Sequence, residues 1–129
     1  MTKQLKIAVF HNLPSGGAKR SLYTYIDYLT KHGHIVDVFI PETANEEYLP
    51  LEPIANNVIK YDVKPSFFRE KIYSIFSYVP AIIKKVSLNN VFNTEKKIAV
   101  DLNSSDYDII YCEQDQFTMT PIIFKYLTK

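Results

Sequence analysis

The sequence predicts an α/β fold, a Rossmann-like open parallel sheet with helices on both faces, and three observations carry that expectation. Two short, nearly continuous apolar runs, Leu5–Phe10 and His34–Ile40, read as strands buried on both faces. Between them, Ala18, Leu22, Tyr25, Ile26 and Leu29 follow helical spacing. The glycine-containing segment HNLPSGG joins the first run to that helix, which completes a βαβ unit with parallel strands.

The elements follow in chain order. Gly33 supplies a stop for the first helix, and Pro41 closes the second strand. The stretch PETANEEYLPLEPIANN holds three prolines and no steady period, so it reads as loop, followed by a short third strand near Val58–Tyr61. Residues Pro65–Ser104 form the long crossover. In it Phe68, Ile72, Ile75, Phe76 and Val79 are helically spaced, Pro80 is expected to kink or end that helix, and Leu88–Leu102 supports another. Asp106–Cys112 reads as a fourth strand. Thr120 before Pro121 suits an N-cap and first helical position, so a closing helix is expected over Pro121–Leu127. A sheet this small leaves apolar edges, from which we expect the fold to continue beyond Lys129.

Composition narrows the functional classes. At 129 residues the chain suits one core, and a content of 47% hydrophobic against 22% charged residues places it among chains that fold. A net charge of +1 gives no global reason to expect nucleic acid, so any basic site must be local. The single cysteine, Cys112, cannot form an internal disulfide, and the opening MTKQLKIAVF is strand-like rather than a signal peptide, which makes a cytoplasmic location the default. No apolar stretch approaches the roughly 20 residues needed to span a bilayer.

The sharpest local signal is Ser15-Gly16-Gly17-Ala18-Lys19-Arg20, between the first strand and the first helix. Unpaired backbone N–H groups at a helix start attract anions, and glycines let a phosphate approach without a Cβ clash. The spacing is neither that of a P-loop nor that of the three-glycine dinucleotide fingerprint. Lys19 and Arg20 oppose the helix dipole, an arrangement that a bound anion would relieve. A tight turn with two solvated cations explains the same residues equally well.

The run KIAVFHNLPSGGAKRSLYTYIDYLTKHGHIVDVFI resembles the opening of glycosyltransferase family 4, the group 1 transferases of the GT-B fold. A weaker likeness is YDIIYCEQDQFTMTPIIFKYL, which resembles the family's later strand and following helix, whereas the middle of the chain matches only in general character. The resemblance implies the amino-terminal, acceptor-side half of a GT-B fold. It also implies a retaining transferase that takes a nucleotide-diphosphate sugar as donor substrate, with no further cofactor, and a carbohydrate or lipid-linked acceptor. A carboxy-terminal GT-B domain or partner subunit would complete the donor site, so no turnover is expected without it. The glycine turn of the family lies against the donor phosphates, a role carried onto Gly16, Gly17 and Arg20, with Lys19 beside them. Where the family often has His-x-His, this chain places Glu113, which becomes the catalytic candidate, although a polar loop at Glu113, Gln114 and Asp115 fits equally well. His11 and Gln114 are the acceptor-side candidates.

Other candidates carry less. Lys64, Arg69, Lys71, Lys84 and Lys85 are interleaved with Phe67, Phe68, Tyr73, Phe76 and Tyr78, a pattern that suits peripheral contact with the inner face of a membrane but is more often the core side of a crossover helix. His32 and His34 flank Gly33 with no third ligand grouped near them, so no metal site is expected. Cys112 lacks the histidine a nucleophile needs and reads as a small core residue. A reading from a different class remains beside the transferase: a stand-alone phosphate-binding or protein-interaction module whose sheet edge pairs with a separate subunit.

Overall fold

A computed structural model describes residues 3–63 and 80–128, with the backbone alone for 80–89. Strands β1 (Lys6–Asn12), β2 (Ile35–Pro41), β3 (Asn57–Tyr61) and β4 (Ile109–Asp115) form one sheet in the order β3-β2-β1-β4. All three neighbouring pairs are parallel. Helix α1 (Gly17–Lys31) joins β1 to β2, helix α2 (Pro80–Asn103) precedes β4, and a 3₁₀ turn (Ile122–Lys125) follows it.

Alternation along the central strands assigns the two faces. Ile7 and Val9 of β1 and Val36, Val38 and Ile40 of β2 pack with Leu22 and Ile26 of α1. Ala8, Phe10 and Phe39 point the other way, toward Ile98, Ala99 and Leu102 of α2 and Ile123 of the 3₁₀ turn. Burying one such Ile or Leu contributes roughly 1.5–3 kcal/mol, which is why the central strands tolerate almost no polar interruption. The expected arrangement, an open parallel sheet with a helix on each face, is therefore present.

Local chemistry sets the ends of α1. Leu22 and Ile26 give it a buried stripe, and Lys31 pairs with Asp27 one turn earlier at 2.7 Å. At its end the His32 N–H donates to the Tyr28 and Leu29 carbonyls, and Gly33 turns the chain at φ +86°, a conformation that costs side-chain-bearing residues strain.

Pro80 is the first residue of α2, a position that suits its missing N–H; the helix that it was expected to kink or end lies outside the described residues. Two other expectations shift. The fourth strand sits three residues further along, at Ile109–Asp115 rather than Asp106–Cys112. Asp108 is occupied in fastening the start of β1, accepting the Lys6 N–H at 2.8 Å and returning its own N–H to the Lys6 carbonyl at 2.8 Å. The closing helix is only the 3₁₀ turn, capped by Pro121 in an extended conformation rather than by the Thr120 side chain.

Candidate functional site

The order β3-β2-β1-β4 places β1 beside β4 while the connections leave them toward opposite faces of the sheet. In open α/β sheets the crevice outside the carboxyl ends of two such strands is where ligands bind. Here that crevice is bounded by the Gly16–Gly17 turn after β1 and by Glu113–Gln116 at the end of β4.

The glycine turn is open. Gly16 is the N-cap of α1 at φ +143° and ψ −164°, a region essentially closed to other residues. A Cβ placed on Gly16 or Gly17 would meet nothing within 4 Å. No side chain caps α1, and its first turn holds no acidic residue. The first amides of a helix have no intrahelical acceptor, so this end presents N–H groups and the positive end of the helix dipole to the crevice.

The two cations of the first turn behave differently. Lys19 is fully buried, and its ammonium donates to the Asn45 carbonyl at 2.7 Å and to Glu46 Oε1 at 3.0 Å. It ties the turn to the loop after β2 rather than facing the crevice. Arg20 is exposed, and its Nε and Nη2 donate to the Tyr48 hydroxyl at 3.3 and 3.1 Å. A guanidinium has five N–H donors, so Tyr48 steadies Arg20 without exhausting it.

His11 lies inside the protein, fully buried on β1. The Leu13 N–H donates to its Nδ1 at 3.2 Å, so Nδ1 is the bare nitrogen and Nε2 carries the proton. Nε2 points at Glu46 Oε1, 3.5 Å away, beyond a well-formed hydrogen bond. Burial lowers the His11 pKa most, Glu46 opposes that, and the Lys19 charge lowers it further. For Glu46, burial raises the carboxyl, but His11 and Lys19 together hold it below the usual range. His11 thus braces the floor beneath the turn instead of standing at its mouth.

Glu113 sits at an irregularity in the β1–β4 ladder. Phe10 pairs with Cys112 and Asn12 with Asp115, so β4 takes three steps where β1 takes two. An extra residue of this kind re-aims side chains and is over-represented beside active sites. Glu113 accepts the Tyr111 hydroxyl at 2.6 Å, and that bond, ahead of burial, pushes the Tyr111 pKa up to about 12. Gln114 is exposed. Cys112 is half-buried, and burial pushes its thiol up to about 12, which suits packing rather than nucleophilic attack.

Sequence reasoning missed the polar floor that joins β1 to β4. Asn12 is fully buried, donates Nδ2 to Asp115 at 3.1 Å and accepts at Oδ1 from Thr43 at 2.8 Å and Gln116 at 3.0 Å. Gln116 also donates to the Thr43 carbonyl at 2.9 Å, and Asp115 Oδ1 accepts the Phe117 and Thr118 N–H groups. The available signal was the polar pair His11-Asn12 ending a strand whose centre, Ile7–Phe10, is apolar.

Among the described residues no group of three or more His, Cys, Asp or Glu is arranged to hold a metal ion. No described helix is long and apolar enough to cross a membrane. Of the basic and aromatic residues read as a membrane face, Lys64, Phe67, Phe68, Arg69, Lys71, Tyr73, Phe76 and Tyr78 lie outside the described residues, as do the side chains of Lys84 and Lys85. Comparison of the chain with family models, curated proteins and solved structures returned no match.

Proposed function

We propose that this domain holds the diphosphate of a sugar nucleotide at the Gly16–Gly17 turn and serves as the amino-terminal, acceptor-side half of a retaining glycosyltransferase. The observation that carries the reading is the open, uncapped start of α1 at the crevice between β1 and β4, with nothing within 4 Å of either glycine's Cβ direction. In this reading the first-turn amide N–H groups donate to the phosphate oxygens, and Arg20, steadied by Tyr48, adds positive charge as the leaving diphosphate forms. Glu113, at the ladder irregularity, faces the acceptor hydroxyl. A carboxy-terminal domain or partner supplies the rest of the donor site, and the likeness to family 4 transferases supports this division of labour.

Calorimetric titration with UDP, ADP and GDP, using the matching nucleosides as controls, tests the reading. Diphosphates bind and nucleosides do not, and Arg20→Ala weakens binding about five- to tenfold, as suits one exposed charge contact. Equal behaviour of diphosphates and nucleosides removes the proposal.

A second reading, a protein-interaction module, draws on β4. It is an edge strand of the described sheet, and Ile109 and Tyr111 are 46% and 40% exposed. They line an apolar groove of about 570 Å³ with Tyr25 and Tyr28 of α1. Open edges with apolar faces invite strand addition from another chain. Concentration-dependent association in sedimentation velocity, abolished by Tyr111→Lys, favours this module; a monomer at every concentration that binds diphosphate favours the transferase.

A further inference from the structure

We propose that the recess between the end of β3 and the first half of α2 binds a small zwitterion, an α-amino acid with a short polar side chain. Asp62, Asn90, Asn93, Thr94 and Lys97 line a pocket of about 280 Å³. Drug-sized ligands occupy roughly 300–1,000 Å³, so this space suits a smaller molecule. Four of the five residues stand at positions i, i+3, i+4 and i+7 of α2 and form a single stripe. The fifth, Asp62, directly follows β3, and Thr94 fastens the stripe to it: the hydroxyl lies 2.9 Å from the Asn90 carbonyl and 3.4 Å from the Asp62 carbonyl, so its proton bridges the two.

Two opposite charges share this recess without neutralising each other. Asp62 and Lys97 are both exposed, and neither forms an ion pair among the described residues. The Lys97 ammonium is held instead 6.0 Å from the centre of the Tyr61 ring, and the Tyr61 hydroxyl donates to Asp101 at 2.6 Å, one turn further along α2. Asn90 adds an unmade bond, because its Nδ2 is shut off from solvent and has no hydrogen-bond partner among the described residues. A half-turn of that amide exchanges its two ends and brings the N–H donors to the pocket wall.

These groups select the ligand by charge. A lone anion would meet the Asp62 carboxylate and a lone cation the Lys97 ammonium, and like charges brought together work against binding. A zwitterion satisfies both, its ammonium donating to Asp62 and its carboxylate accepting from Lys97 and the Asn90 amide. No aromatic ring lines the pocket, so a sugar finds no flat apolar face to stack on. No Val, Leu, Ile or Met lines it either, which favours a polar side chain on the ligand. The recess lies on the α2 face of the sheet, whereas the Gly16–Gly17 turn opens α1 on the other face, so the two sites are independent.

The test is a two-dimensional amide NMR titration of the whole chain with L-serine, L-asparagine and L-glutamine, carried to high millimolar concentration. The Asp62, Asn93, Thr94 and Lys97 amides and the Asn90 side-chain amide should move and saturate for at least one of them. For the amino acid that binds best, the N-acetyl derivative lacks the ammonium and the α-amide lacks the carboxylate, and each should bind at least about fivefold more weakly. Asp62→Asn and Lys97→Met should weaken the parent amino acid by a similar factor, and because both side chains are exposed the remaining resonances should stay in place. D-Glucose and inorganic pyrophosphate should leave the pocket amides still. The proposal is overturned if no amino acid moves these amides, if the blocked derivatives bind as well as the free amino acid, or if glucose or pyrophosphate binds there as tightly.

Discussion

Lys19 Nζ lies 3.0 Å from Glu46 Oε1, and this pair, whose cation is fully buried, pins the first turn of α1 to the loop that follows β2. The same carboxylate oxygen is 3.5 Å from His11 Nε2, so Glu46 braces groups from β1 and α1 together. The glycine turn keeps its shape because of what lies beneath it, while its own surface stays open.

Removing one partner of a buried pair leaves an uncompensated charge, so Glu46→Ala is expected to cost about 3–5 kcal/mol in urea unfolding. Lys19→Met fills the same space without a charge and should cost clearly less. Adding Glu46→Ala to Lys19→Met should then cost little more. A Glu46→Ala loss within about 1 kcal/mol would mean that the pair contributes only as much as a solvated surface pair.

The two glycines should separate on substitution. Gly16→Ala forces a side chain onto φ +143° and is expected to cost about 1–3 kcal/mol. Gly17 is the first residue of α1 with open space at its Cβ, so Gly17→Ala should leave stability unchanged or raise it by up to about 1 kcal/mol. The added methyl would nevertheless occupy the approach to the first amides and weaken diphosphate binding. Unchanged binding in Gly17→Ala would make this turn a structural device alone.

Asn12→Ala strips partners from Asp115, Thr43 and Gln116 at once, and a loss of about 1–3 kcal/mol is expected, read from the denaturant midpoint. A loss below about 0.5 kcal/mol would mean that water replaces the amide and the floor is wet.

Acid should weaken the fold through His11 and Glu46. The His11 pKa is lowered from 6.5, so its contribution is present above that value and is lost as pH falls, when the unfolded chain takes up a proton that the folded chain resists. Glu46, lowered from 4.5, adds to the loss at more acidic pH. His11→Gln should flatten the first of these limbs, and nitrogen-15 NMR of the parent protein should show the Nε2–H tautomer with Nδ1 unprotonated. A protonated His11 at pH 7 would contradict the burial argument.

The sheet was legible because its strands are buried on both faces. Runs such as KIAVF and IVDVF leave few alternatives to a parallel strand, and Gly33 marks the end of α1 without ambiguity. β4 was misplaced by three residues because its carboxyl half, Glu113–Asp115, is polar and is held by partners distant in sequence, above all Asn12. Apolar periodicity carries no trace of such a pairing. In the candidate site the glycine turn was readable as a turn into a helix, since glycine tolerates the φ of +143° that Gly16 adopts there. The inward turn of Lys19 and His11 was not, because it depends on Glu46, supplied by a loop without periodicity.

The most direct test of the phosphate-binding turn is a two-dimensional amide NMR titration of the chain with inorganic pyrophosphate and then UDP. The Gly17, Ala18 and Lys19 amide resonances should move and saturate together for both ligands, with the response weakened in Arg20→Ala. If those amides stay still while others move, or if none moves at millimolar ligand, the Gly16–Gly17 turn is not a phosphate site.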